Sequence, residues 1–236
     1  MKAIALREIH SYFNTMIGYV FMGIGMLVSG IFFTANNILG GSASFAAVIG
    51  SISYVLILTV PLLTMRSFAE EKKNKSDQLL LTAPISAGDI VLGKYLSAMF
   101  TLGATLLASV IYPIIISLFG EPYIGEIIVG YVGIILLGSA FVSIGLFISA
   151  ISENQLSAAV ATIGILFFLW LFDSILPQVT NPNLNTILSA LSLYNKFATF
   201  QIGILSLAAV VYFCALTFMF LFITAKVTEK RGWGRS

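Results

Sequence analysis

From Ser11 to Met65 the chain carries no Asp, Glu, Lys or Arg. A helix needs about 20 apolar residues to cross a bilayer's hydrocarbon core, so a run this long and uncharged holds two crossings. It divides at the turn-forming cluster Asn36, Asn37, Gly40, Gly41 and Ser42. The rest of the chain reads alike. Apolar residues make up 58% and charged residues 9%, against about 25% charged in an average soluble domain. With a mean hydropathy of +1.01, a core of this size cannot hide that much apolar side chain from water.

The class that follows is all-α, a polytopic membrane protein with six transmembrane helices in a single domain. Charge-free stretches place the spans at about 16–33, 45–64, 90–118, 124–151, 156–176 and 202–224, with a basic tail over 226–236. A soluble enzyme, a disordered regulator and a nucleic-acid binder are excluded. A formal charge of +2 leaves no broad basic face for phosphates. Cys214, the only cysteine, cannot form an internal disulfide, and a single histidine, His10, excludes chemistry needing two.

Basic loops resist translocation, so lysine and arginine report orientation. An even number of spans puts both termini on one side with the loops after spans two and four. Lys2, Arg7, Arg66, Lys72, Lys73, Lys75, Lys94, Lys226, Lys230, Arg231 and Arg235 fall there, and only Lys196 lies opposite. Both termini are therefore expected in the cytoplasm. A cleaved signal peptide is the competing reading of the N-terminus, but the apolar run after Lys2 and Arg7 is too long for one. Residues 2–15 read instead as an amphipathic interfacial helix, with Ile4, Ile9, Tyr12 and Phe13 towards lipid and Lys2, Arg7 and Asn14 towards water.

Charge concentrates in the segment 66–89, which holds Arg66, Glu70, Glu71, Lys72, Lys73, Lys75, Asp77 and Asp89. Ser67 with Glu70 fits the S-x-x-E capping box and predicts a helix start there. Glu71 with Lys75 is a favourable i,i+4 pair, Leu79 to Leu81 give an apolar end, and Pro84 stops the helix at Ala83. Ser86 with Asp89 starts span three. A short charged helix between two spans is either a solvated connector that fixes topology or a lever for a soluble partner. A simple turn needs only a handful of residues, and the greater length favours the lever. Between spans five and six, Leu184, Ile187, Leu188, Leu191 and Tyr194 recur at helical spacing opposite Asn185, Thr186, Ser189, Ser192 and Asn195. That pattern predicts an outer amphipathic or re-entrant helix, with a plain interfacial loop as the alternative.

Other motifs carry less. Gly88 to Lys94 matches G-x-x-x-x-G-K, but Tyr95 stands where Ser or Thr holds magnesium and no strand precedes it. Asn74 to Ser76 is a glycosylation sequon on the expected cytoplasmic side. No ionisable residue falls at a span's centre: Asp173 and Lys94 sit towards the ends of their spans and are expected to snorkel to water. Small-xxx-small pairs at Gly25 and Ser29, Ala104 and Ala108, and Ser139 and Ser143 allow close helix packing. Pro61 and Pro113 read as kinks or hinges.

Three stretches, Arg7 to Phe33, Met65 to Leu96 and Gly145 to Trp170, together resemble the permease subunits of type-2 ABC exporters, and within them the branch similar to the gliding-motility permease. The most specific is Met65 to Leu96, with its M-R-S-F-A-E-E start and L-L-x-x-P-I-S end. Met16 stands where the family often has proline, Lys75 and Ser76 where Gly-Thr is usual, and Gln78 where Glu is usual. The resemblance implies that the charged segment is a coupling helix touching ABC ATPase subunits through Glu70, Glu71, Lys72, Leu79, Leu80 and Pro84. It also implies two ATPases, a second permease copy or paralogue, re-entrant helices between spans five and six, and a bacterial cell membrane. ATP and Mg would sit on the ATPase, with no cofactor on this chain and no catalytic residue. An accessory extracytoplasmic protein is a further possible partner. The expected function is the transmembrane subunit of an ATP-driven exporter; an ATPase-independent channel or ion-coupled carrier, and a membrane anchor for a soluble complex, are the alternatives.

Overall fold

The computed structural model describes residues 2–73, 86–120, 123–175, 188–189 and 192–233. No strand occurs among them. The helices are α1 (Lys2–Asn14), α2 (Ile17–Phe33), α3 (Ala46–Lys73), α4 (Ala87–Ser109), α5 (Ile111–Phe119), α6 (Ile124–Ile151), α7 (Gln155–Ile175), α8 (Leu193–Gln201) and α9 (Leu207–Trp233). Apolar surroundings leave backbone N–H and C=O no water to bond, and helices satisfy them within one segment. Six helical stretches are long and apolar enough to cross a membrane: 17–39, 46–72, 87–118, 124–151, 155–173 and 207–230.

The bundle is built round α3 and α6. In their most apolar windows 72% and 78% of residues are buried, against 22%, 17% and 22% in the first, fifth and sixth spans. The latter three thus turn an apolar surface outward, and the former pair is the core. Close approach needs small residues on α6. A Cβ at Gly145 would stand 2.4 Å from Thr64 Oγ1 of α3, and one at Gly133 would stand 2.5 Å from Phe200 Cβ of α8. Of the small-residue pairs, Ser139 meets Thr217 of α9 at 3.1 Å and Ser29 meets Tyr112 at 3.2 Å. Ala108 is exposed.

Several boundaries depart from the sequence reading. Asn36 and Asn37 do not form a turn: span one continues as a π-helix over Thr34–Leu39, and the turn waits for Gly41 at φ +64°. Asn36 Nδ2 donates back to Phe32 C=O, and Asn37 Nδ2 bridges to Ser42 and Ser44 C=O, which supports the wider helix. Span three is broken at Val110 between α4 and α5. Pro113 has no N–H for Ser109 C=O, the usual cause of such a break. Span six starts at Leu207, because Gly203 takes φ +78° and closes the end of α8. Met16, at the corner between α1 and α2, has φ +62°. Proline, fixed near φ −65°, cannot adopt that corner.

Glu126 is a further contributor to the frame. Its Oε1 accepts from Ser44 Oγ and from the N–H groups of Phe45 and Ala46 at 2.9, 2.7 and 2.6 Å. It therefore caps α3 from the first turn of α6, satisfying donors that the helix itself cannot.

Candidate coupling site

The charged segment begins inside α3. That helix runs unbroken from Ala46 to Lys73, so Ser67 is not a helix start. Ser67 is 2% exposed and lies a full turn and more before the end of the helix. The S-x-x-E pattern is a local signal, and tertiary packing overrides it: Ser67 Oγ meets the Tyr12 hydroxyl at 3.2 Å, and its C=O accepts from Lys94 Nζ. Glu70 pairs one turn back with Arg66, whose Nη2 lies 2.7 Å from Glu70 Oε1.

Glu71 turns inward. Its Oε1 lies 2.8 Å from Lys94 Nζ and 3.0 Å from Arg7 Nη2. Glu8 joins from α1, 3.2 Å from Lys94 and 2.9 Å from Arg7. The four charges balance. The Lys94 side chain is 1% exposed, so it does not snorkel; its ammonium is met by two carboxylates, by Ser67 C=O, and by the Phe68 ring at 5.1 Å. A buried charge persists only when paired and hydrogen-bonded in this way. Lys72 reaches the other neighbour. Its Nζ donates to Ala150 and Ser152 C=O, at the C-terminus of α6, where the helix leaves carbonyls without partners and a cation is favoured. Ser149 Oγ accepts from Phe68 and Ala69 N–H at 3.1 and 3.2 Å, adding a second tie between α3 and α6.

The end of α3 is thus fastened to α1, α4 and α6. Tyr12 completes the seam, donating to Leu63 C=O at 3.0 Å. Burial pushes its phenol pKa up to about 12, with Glu8 adding to the shift and the Ser67 hydrogen bond opposing it. The apolar face of α1 is accordingly turned in part to protein: Ile4 and Tyr12 are 6% and 4% exposed. Periodicity alone cannot distinguish lipid from a neighbouring helix as the cover of such a face. Ser86 caps α4 as its spacing predicts, accepting from Asp89 N–H at 3.1 Å.

Leu79, Leu80 and Pro84 fall outside the described residues, as do Leu184, Ile187 and Leu191. Leu188 is half-buried. Tyr194 does not close a helix begun at Leu184; it lies in the first turn of α8, whose N-cap is Ser192, with Ser192 Oγ accepting from Asn195 N–H. Helix α8 packs beside Gly50 and Tyr54 of α3 and Gly133 and Phe141 of α6. Sequence reading missed Glu8, Glu126 and the inward role of Lys94. Glu8 sits one residue from Arg7 on an exposed-looking turn, and no local spacing links it to Lys94.

Six helices long and apolar enough to cross a membrane define a multi-pass helical membrane protein. The chain belongs to the ABC-2 family of transporter proteins, whose family model, ABC-2 family transporter protein, matches residues 51–228. A comparison with curated proteins returns no match. Family membership makes the chain the membrane-spanning, non-catalytic part of an ABC transport system, a class that works with ATPase partners.

Proposed function

We propose that the chain is the transmembrane subunit of an ATP-driven export system, coupled to separate cytoplasmic ATPases at the end of the bundle that carries both termini. Two ATPases act on a pair of permeases, identical or paralogous, that encloses the pathway in a cell membrane. ATP and Mg stay on the ATPases. The stretch from Glu70, Glu71 and Lys72 through Leu79, Leu80 and Pro84 is the contact surface, and Leu184, Ile187, Leu188, Leu191 and Tyr194 contribute to the outer gate. The M-R-S-F-A-E-E stretch supports placing the chain near the gliding-motility branch.

One observation carries the reading. The last turns of α3 are tied to α1 and α4 through Glu71, Lys94 and Glu8, and to α6 through Lys72. A push on that end therefore moves several helices as one body, which is what a switch between inward- and outward-open states requires. Glu70, with a side chain 29% exposed and paired one turn back with Arg66 on its own helix, is the better probe of partner contact, since Glu71 also holds the bundle together.

The test is reconstitution of the permease with its ATPase in vesicles. Glu70→Lys should lower ATPase association and ATP-dependent transport at least several-fold while membrane insertion stays normal. Unchanged association and transport would remove the assigned contact. Transport by the purified chain without any ATPase would replace the reading with a channel or carrier.

A further inference from the structure

Near the end of span five, Asp173 is 8% exposed, and no basic side chain among the described residues forms an ion pair with it. Its Oδ2 accepts from Tyr194 N–H at 2.7 Å, at the electropositive start of α8. Its Oδ1 is buried and has no hydrogen-bond partner among the described residues. The hydroxyl of Tyr194 is likewise buried and unpartnered. Lys196, on the same helix as Tyr194, is held over the Tyr212 ring at 4.9 Å. Helix α8 thus meets one lone pair of a carboxylate and leaves the rest of its charge unanswered. A buried charge left so is costly, and it marks a place where something else completes it.

The surroundings say what that is. Trp170 lies one turn before Asp173 on the same face of α7. It meets the Tyr54 ring edge-on at 6.0 Å, and Tyr54 stacks with Tyr194 at 6.2 Å. The four residues line a circuit across α7, α3 and α8: carboxylate to Tyr194 backbone, Tyr194 ring to Tyr54, and Tyr54 to Trp170, which stands one helical turn from Asp173. Phe141 adds a further ring at 6.4 Å from Tyr194. Tyr54 is 49% exposed, so the circuit is reached from the bundle surface. One anionic oxygen, one free phenol and several aromatic rings are the groups that recognise a cation with N–H donors and an apolar body. A neutral alcohol or a water could meet the oxygen but not answer the charge.

We infer that Asp173 and Tyr194, walled by Tyr54 and Trp170, form a binding site for a protonated amine with an apolar or aromatic body. Asp173 Oδ1 accepts the ammonium hydrogen bond, the Tyr194 hydroxyl lies alongside as a second polar contact, and the ring faces take the charge and the apolar portion. The site stands on this chain alone and does not depend on ATPase coupling.

The experiment uses the full chain in lipid nanodiscs with Trp233→Phe, so that Trp170 is the remaining tryptophan. Its fluorescence is followed during titration with 2-phenylethylammonium and with neutral 2-phenylethanol, with empty nanodiscs as background. The expected result is a saturable change with the ammonium and at least tenfold weaker binding of the alcohol. Asp173→Asn should weaken ammonium binding tenfold or more and erase the preference over the alcohol; Tyr194→Phe should weaken it about threefold. No saturable binding, equal binding of the two compounds, or an undiminished Asp173→Asn variant would overturn the site. If Asp173→Asn does not yield a monodisperse protein, the two ligands and Tyr194→Phe decide the matter. No ATPase is present, so failure here leaves the export reading standing, and loss of coupling leaves this site standing.

Discussion

Lys94 Nζ lies 2.8 Å from Glu71 Oε1, joining the second turn of α4 to the last turn of α3 at a point where the lysine side chain is 1% exposed. Their neighbours Glu8 and Arg7 make the pair a quartet, so α1 is held by charge as well as by Ile4 and Tyr12.

Removing the central cation leaves two carboxylates facing each other with Arg7 alone between them. Lys94→Met should destabilise the chain by about 3–5 kcal/mol, the usual cost of breaking a buried ion pair from one side. The triple variant Lys94→Met, Glu8→Gln, Glu71→Gln should recover most of the loss, because no unpaired charge is then left buried. Unfolding in detergent, followed by circular dichroism, measures both. A Lys94→Met variant as stable as the parent would mean that the quartet does not hold the helices together.

Tyr12 gives the seam an alkaline limit. The phenol is neutral at ordinary pH, and burial raises its pKa from 10.0 to about 12 in the folded chain. Between those values the unfolded chain releases a proton that the folded chain keeps, so stability falls as pH rises from about 10 to about 12. The total is about 2–3 kcal/mol. Tyr12→Phe should be about 1 kcal/mol less stable at pH 8, through the lost hydrogen bond to Leu63 C=O, and should show a smaller fall towards pH 12. Unfolding free energies at several pH values in this window provide the check.

Met16 pays for its left-handed conformation at the α1–α2 corner. Left-handed backbone costs an ordinary residue about 1 kcal/mol that glycine is spared. Met16→Gly should therefore raise stability by up to about 1 kcal/mol, whereas Met16→Pro should lower it and loosen α1. Protease accessibility of α1 distinguishes the two variants.

Gly145 faces Thr64 so closely that a methyl group there must displace one helix. Gly145→Ala should cost about 1–3 kcal/mol. Thr64→Ala in the same chain should restore part of that, since it removes two of the three Thr64 atoms that the new Cβ meets, Oγ1 and Cγ2. An additive double-mutant cycle would show that the two helices do not meet there.

Particular residues show how far sequence reasoning reaches. Ser86 and Asp89 were readable as a helix start because an N-cap uses groups three residues apart. Ser67 and Glu70 carry the same spacing, but there α3 runs on, because Tyr12, Lys94 and Ser149 supply bonds from three other helices. Asp173 looked like a span-end charge able to reach water; the start of α8 covers it instead. Likewise the apolar face of α1 was visible, but whether lipid or protein covered it was not.

The chain's composition and charge spacing by themselves determined that it is helical, that it holds six stretches fit to cross a bilayer, and that its charges gather between the second and third of them. They could do so because apolar surroundings penalise unpaired backbone groups and charges wherever the chain folds. Only the tertiary structure decided that Lys94 meets Glu8, that Glu126 caps α3, and that Asp173 meets Tyr194. Those partners are far apart along the chain, and helical periodicity speaks only for residues three or four apart; it takes packed helices to bring them together.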